Sequence, residues 1–253
     1  MLIVCNGAQK SGSTWVTEIV AKSGWAEKIP DRHCANSGVG RSFPDDVTHE
    51  IIDDDIYISE NYYCKQHWIA DDKYLEFAKK PHVKFINIIR DVRDMLVSRY
   101  FHDVRREVFT GSLDDYFDAG LAETRVRAHV RYHRFWHQGE GRHHTHMMSY
   151  ERLHEDFKGE VKDLCDYLEL NVSDIDAIAE KLRSSTDFKN KPSGPDKFYR
   201  SGATGDHENH LTSEHNEKVE AALEAMNFLK VKQKIAEDHP GLKPYLSSID
   251  IGI

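Results

Sequence analysis

The first fifteen residues constrain the fold more tightly than any other stretch. Leu2, Ile3, Val4 and Cys5 form a short apolar run, which predicts a buried strand. It feeds a loop, Gly7-Ala-Gln-Lys10-Ser-Gly12, with glycine at both ends, and then Ser13, Thr14 and Trp15. A helical apolar pattern follows through Val16, Ile19 and Val20. Strand, glycine loop and helix together make a geometry that holds an anionic phosphate. The glycines let the backbone curl so that its N–H groups converge, and the helix N-terminus adds partial positive charge.

The order of residues inside the loop narrows the chemistry. A nucleotide-triphosphate loop reads G-x-x-x-x-G-K-[ST], with lysine directly after the second glycine. Gly7 and Gly12 have that separation, but Ser13 stands in the lysine position and Lys10 lies inside the loop. On spacing alone, a plain strand-to-helix turn with Lys10 as a solvated charge remains open. The rest of the chain must decide.

A chain of 253 residues is long enough to bury a substantial core, and we read residues 1–253 as one α/β domain. The formal net charge of −9 argues against broad nucleic-acid binding, which depends on a basic face. It leaves room for a locally basic pocket. No apolar run approaches the ~20 residues that span a bilayer, and the first apolar run reads as strand rather than leader, so no membrane partner is expected. Cys5, Cys34, Cys64 and Cys165 are scattered without a C-x-x-C pair, and read as reduced thiols of a cytoplasmic protein.

Further along, residues 25–55 are polar and irregular, a candidate wall of an acceptor pocket. Alternation from Ile56 to His67 predicts a strand that sets Lys65 and His67 on one face. A helix is expected over 71–79, and Val83 to Ile89 is the clearest buried strand. Arg90 follows at its carboxyl end, where an α/β sheet binds ligands and where an unpaired cation is costly. Asp91 is placed to N-cap the next helix, whose core stripe is Val92, Met95, Leu96 and Tyr100. Residues 113–138 read as one or two amphipathic helices, and 143–150 as a strand. Its histidines lack a ligand-spaced set, so no metal is expected. Helical patterns recur at 158–168, 172–184 and 213–229. Between the last two, a glycine- and proline-rich loop over 190–212 forms an arm able to bring Arg200 and the Gly202 backbone onto a phosphate. A last amphipathic stretch, 231–246, is interrupted by Pro240.

Taken together and in this order, these stretches resemble the PAPS-dependent sulfotransferases of the cytosolic type. Lys10-Ser11-Gly12-Ser13-Thr14-Trp15 is similar to the family's 5′-phosphosulfate loop, and Lys65-Gln66-His67 to its K-T-H. Arg90 through Ser98 is similar to its 3′-phosphate motif, and Tyr150-Glu151 to a pair in which the tyrosine lines the nucleotide site. Thr186 and Phe188 match an adenine-contacting segment more loosely. Arg200-Ser201-Gly202 with Gly205-Asp206 resembles a late loop that closes over the 3′-phosphate.

The resemblance implies a P-loop NTPase-like three-layer sandwich, its central parallel sheet flanked by helices. It implies PAPS as donor, PAP as product and no required metal. A small-molecule or saccharide hydroxyl would be the acceptor. His67 is carried over as catalytic base, Lys10 as the contact to the bridging oxygen, Lys65 as a steadying cation and Trp15 as an adenine wall. Ser201 stands where the family has lysine and His207 where it has tryptophan, and the family's dimer motif is not visible. The alternative, a P-loop kinase or NTPase using ATP and Mg²⁺, is disfavoured by the position of Lys10. The segments expected to shape the acceptor pocket, 25–55 and 104–138, do not name the acceptor.

Overall fold

A strand without polar alternation is stable only when covered on both faces, and β1 (Leu2–Cys5) is such a strand, with all four residues at 0% exposure. The computed structural model describes residues 1–30, 33, 54–68, 72–138, 144–186 and 202–247. In it β1 lies mid-sheet, pairing in parallel with β3 (Tyr62–Lys65) and β4 (Val83–Ile89). With β2 (Glu27–Lys28) and β5 (Thr145–Ser149), the five strands form one parallel sheet in the order β2-β3-β1-β4-β5.

The helices in chain order are α1 (Ser13–Ser23), α2 (Ile56–Ser59), α3 (Asp72–Ala78), α4 (Val92–Arg105), α5 (Leu113–Asp118) and α6 (Leu121–Gln138). They continue with α7 (Tyr150–Glu155), α8 (Phe157–Tyr167), α9 (Ile175–Thr186), α10 (Ser213–Ala225), α11 (Phe228–Asp238) and α12 (Lys243–Ser247). Side-chain alternation along the strands divides them into two layers. Ile3, Cys5, Ile86, Ile88 and Met148 pack with α1, α8 and α9. Leu2, Val4, Val83 and Phe85 pack with α3 and α6, while Ile89 and Met147 meet α4, α6, α10 and α11. The result is the expected three-layer α/β sandwich.

Adjacent strands β1 and β4 send their following helices to opposite faces, since α1 joins one core and α4 the other. Such a topological switch opens a crevice at the strands' carboxyl ends, where this sheet type binds ligands. The glycine loop leaves β1 there, and Arg90 leaves β4 there.

Four expectations need correction. The alternation of Ile56 and Ile58 belongs to the short helix α2, in which the intervening Tyr57 is the buried residue and Ile58 is 59% exposed. The edge strand β2 consists of two exposed polar residues and carries no apolar signal. The pattern expected over 213–229 breaks earlier, at Asn227, whose positive φ of 51° separates α10 from α11. Tyr150 starts a helix rather than ending a strand. Most of the proposed acceptor wall at 25–55 lies outside the described residues.

Candidate active site

The loop after β1 is shaped by backbone that few residues tolerate. Gly12 caps α1 at φ 106°, and a Cβ there would lie 2.6 Å from Tyr150 Cδ2. Lys10 also takes a positive φ, 71°, without being glycine. The Ser11 hydroxyl donates to the Ala8 carbonyl at 2.6 Å and locks the turn. The backbone N–H groups of Gly12, Ser13 and Thr14 have no hydrogen-bond partner among the described residues. They open the N-terminus of α1, where the helix dipole favours an anion.

Two side chains reach this loop from the end of β3 and the turn after it. Lys65, the last residue of β3, donates from Nζ to Thr14 Oγ1 at 2.6 Å. His67 Nδ1 lies 2.8 Å from the Gly7 carbonyl oxygen. That oxygen can only accept, so Nδ1 carries the proton and Nε2 keeps its lone pair. Burial pushes the His67 imidazole down to about 4; the Gly7 bond opposes this, and Lys65, Lys10 and Arg99 add to it. Burial likewise pushes Lys10 down to about 8, helped by Arg105, Arg90, Lys65 and Arg99. A neutral imidazole and a cation easily discharged thus share one loop.

The second arm of the crevice is built around Arg90. Its guanidinium lies over the Tyr150 ring at 4.1 Å and donates to the Ala203 carbonyl at 2.9 Å and the Lys10 carbonyl at 3.5 Å. Asp94, one helical turn on, lies 3.7 Å from Nη2. The Tyr150 hydroxyl donates to the Gly202 carbonyl at 2.9 Å. Asp94 in turn accepts the backbone N–H groups of Gly205 and His207 and the His207 ring. Glu151 accepts the Asp91 N–H at 3.0 Å and holds the start of α4. Gly12 therefore lies between the N-terminus of α1, with its open amides, and the guanidinium of Arg90, two groups whose chemistry suits an anion.

A sulfotransferase-domain profile matches residues 2–237. The chain belongs to the sulfotransferase family. Mouse Sulfotransferase 2A6 is 27% identical over 183 residues, covering 64% of this chain and 60% of that protein. This sulfotransferase chain thus spans less than two thirds of the length of that curated relative. Mouse sulfotransferase SULT7A1, solved in complex with PAP, superposes with a TM-score of 0.64 at 19% identity, covering 98% of this chain and 88% of that one. Retinol dehydratase, solved with androsterone and PAP, gives 0.60 at 15% identity over 89% of this chain and 80% of that one. These likenesses establish the shared P-loop-like fold.

Against the family's motifs, the structure brings Lys10, Ser11, Gly12, Ser13, Thr14, Lys65 and His67 together, and draws Arg90, Tyr150 and Gly202 into one hydrogen-bonded group. Ser98 is half-buried on α4, and its hydroxyl bonds to no described residue. Trp15 is 4% exposed, its indole N–H on Thr186 Oγ1 at 3.0 Å, with Tyr150, His154 and Phe157 around it. It closes the core behind the loop. Phe188, Arg200 and Ser201 lie outside the described residues. Arg99 and Arg105 escaped the sequence reading, and Asp94 reads there only as a first-turn charge favoured by the helix dipole. No group of three His, Cys, Asp or Glu residues able to hold a metal occurs among the described residues.

Proposed function

We propose that this chain transfers a sulfuryl group from 3′-phosphoadenosine 5′-phosphosulfate to a hydroxyl of a small-molecule or saccharide acceptor and releases PAP, without a metal. The observation that carries this reading is the contact of Lys65 with Thr14 and of His67 with Gly7, which sets a base and a cation against the glycine loop that holds Lys10.

The residues present suit a nucleotide with anionic groups at two places. The free amides at the start of α1 suit the 5′-phosphate end. Arg90 Nε is buried without a partner among the described residues, and an arginine fork suits a 3′-phosphate. Ser98, Tyr150, Phe188, Arg200, Ser201 and Gly202 are assigned to the same nucleotide by the family's motifs. The PAP held by the mouse relative supports this donor, and the androsterone and retinol held by retinol dehydratase support a hydroxyl-bearing small molecule as acceptor.

In the step itself a bond forms between the acceptor oxygen and sulfur while the bond from sulfur to the bridging phosphate oxygen breaks. The electron pair of the broken bond stays on the phosphate of PAP. His67 Nε2 takes the acceptor's proton and later yields it to solvent. Lys10 stabilises the charge growing on the departing oxygen, and Lys65 steadies the sulfuryl oxygens. Positioning and charge stabilisation supply the catalysis, as in phosphoryl transfer.

One domain over 1–253 is part of this reading, supported by three core clusters that share one sheet. No described helix is long and apolar enough to cross a membrane. The buried, unbridged thiols of Cys5 and Cys165 support a cytoplasmic setting. The deciding experiment compares thermal shifts with PAP and with ATP plus Mg²⁺, then follows labelled sulfate from PAPS into an acceptor. Stabilisation by ATP plus Mg²⁺ alone would favour the kinase alternative.

A further inference from the structure

The chain leaves β1 on a polar side chain where the strand so far has been wholly apolar: Asn6 follows Leu2, Ile3, Val4 and Cys5 and is fully buried. A buried carboxamide is costly unless its donor and its acceptor are both met. Asn6 meets them at a single residue. Its Oδ1 accepts the Trp68 backbone N–H at 2.9 Å, and its Nδ2 donates to the Trp68 carbonyl at 3.4 Å. The pairing of β1 with β3 ends at Cys5 and Lys65, with one further bond from the Gln66 N–H to the Cys5 carbonyl at 3.0 Å. Beyond that point the Asn6 side chain takes over from the backbone. The Asn6 N–H donates to the Ile86 carbonyl at 2.8 Å, so this residue ties the segment after β3 to the middle of the sheet.

Two successive residues at the exit of β1 therefore hold two successive residues beyond β3. Gly7 meets the His67 ring through its carbonyl at 2.8 Å, and Asn6 holds the Trp68 backbone. Helices on the same side brace Trp68 further. The buried Trp136 of α6 donates its indole N–H to the same Trp68 carbonyl at 3.1 Å, and the Trp68 ring stacks on Tyr74 of α3, 4.4 Å away at 6°. An imidazole turns about two side-chain bonds, so its place is set first by the backbone that carries it. With the peptide between His67 and Trp68 fixed at its N–H, the ring reaches the Gly7 carbonyl and keeps Nδ1 protonated.

We infer that Asn6 is a positioning residue for the catalytic base: its carboxamide fixes the backbone at Trp68, which keeps the His67 ring on the Gly7 carbonyl with the Nε2 lone pair available for the acceptor's proton. This rests on the sulfuryl-transfer reading and adds to it the residue that aims the base. An apolar side chain at this position would leave the Trp68 N–H unmet and let the backbone shift. A displacement of about 1 Å at a reacting group costs up to about a hundredfold in rate.

Two measurements on the full chain test it. The first needs no acceptor: nitrogen NMR of histidine-labelled protein, with the His67 signals assigned by their loss in His67→Ala. The parent should show the Nδ1-protonated ring, titrating at about 4. Asn6→Ala should mix the two tautomers and move the titration up toward the ordinary imidazole value of about 6.5. The second follows labelled sulfate from PAPS to para-ethylphenol. Asn6→Ala should lower kcat by about ten- to a hundredfold, with PAP bound within about twofold of the parent. It should cost nothing further once His67 is already alanine. Asn6→Asp, which keeps an acceptor for the Trp68 N–H, should recover part of the loss. Trp136→Phe leaves β1 and the glycine loop intact and serves should Asn6→Ala not fold; it should move the tautomer and kcat the same way, by a smaller factor of about five. An unchanged tautomer in a folded variant overturns the inference. So does an equal loss of rate with and without His67, or a PAP affinity that falls as far as kcat, since Asn6 would then support the loop as a whole. Failure of the underlying reading looks different: the parent would bind no PAP, or His67→Ala would keep parental turnover, whatever the tautomer.

Discussion

Asp94 grips His207 twice through one oxygen: Oδ1 accepts the His207 backbone N–H at 2.9 Å and the ring Nδ1–H at 2.9 Å. Its other oxygen accepts the Gly205 N–H at 2.8 Å. Burial by itself would raise the Asp94 carboxyl, but His207 and Arg90 hold it below the usual carboxylate range. The position where the family pattern has tryptophan is thus pinned by hydrogen bonds, and the turn from Gly202 to His207 is held over Arg90.

From this follows the first prediction. Asp94→Ala should weaken PAP about tenfold, the scale of one hydrogen bond to a charged group, and should leave AMP, which has no 3′-phosphate, much less affected. Isothermal titration of both ligands checks it. Equal losses for PAP and AMP would show that Asp94 only supports the fold.

The acid and base limbs of kcat/KM should lie apart and low. His67 works only as the neutral base and Lys10 only as the cation. Burial holds the first at about 4 and the second at about 8. The rate should therefore rise as pH passes about 4 and fall as it passes about 8. His67→Ala should lose at least ~10²-fold in turnover and still bind PAP. An acid limb at the ordinary imidazole value would contradict this assignment.

Gly12 and Gly24 make a matched pair. Both have positive φ, 106° and 79°, but a Cβ at Gly24 meets nothing within 4 Å whereas one at Gly12 meets Tyr150. Gly24→Ala should cost about 1 kcal/mol from backbone conformation alone. Gly12→Ala should cost roughly 1–3 kcal/mol more, through strain and the displaced ring, and should also weaken PAP. Urea unfolding of both variants measures the difference.

Acid should destabilise the protein through a row of imidazoles on α6. His129, His133 and His137 are buried, and neither nitrogen of any of them has a hydrogen-bond partner among the described residues. Burial holds His129 at about 4, below its value in the unfolded chain. The unfolded state then binds the extra proton, so this stability is complete above the ordinary imidazole value and is lost as pH falls toward about 4. Glu160, raised by burial to about 8, acts in the opposite direction, so the comparison must be between variants. His129→Leu should gain about 2 kcal/mol relative to the parent on going from neutral pH to about pH 5. A difference in unfolding free energy that does not change with pH would refute it.

What could be read in advance was local. The run Leu2–Cys5, the loop from Gly7 to Gly12 and the strand Val83–Ile89 followed by Arg90 carry their signals within a few residues, and each was found where expected. The misreadings have physical causes. Ile56 and Ile58 alternate over too short a span to separate strand from helix, and only packing shows that Tyr57 is the buried residue. The strand Glu27–Lys28 forms by backbone pairing to Tyr62 and Tyr63, with no side-chain preference to report it.

By itself the sequence determined the order of elements at the N-terminal phosphate loop, the family motifs and the residue types able to move a proton and stabilise an oxyanion. Those depend on contiguous chemistry. Only the tertiary structure decided that His67 turns its Nδ1 to Gly7, that Tyr150 fills the space a side chain at residue 12 would need, and that Asp94 anchors His207 113 residues away. Contacts of such sequence separation form when helices pack on a shared sheet, and no local spacing encodes them.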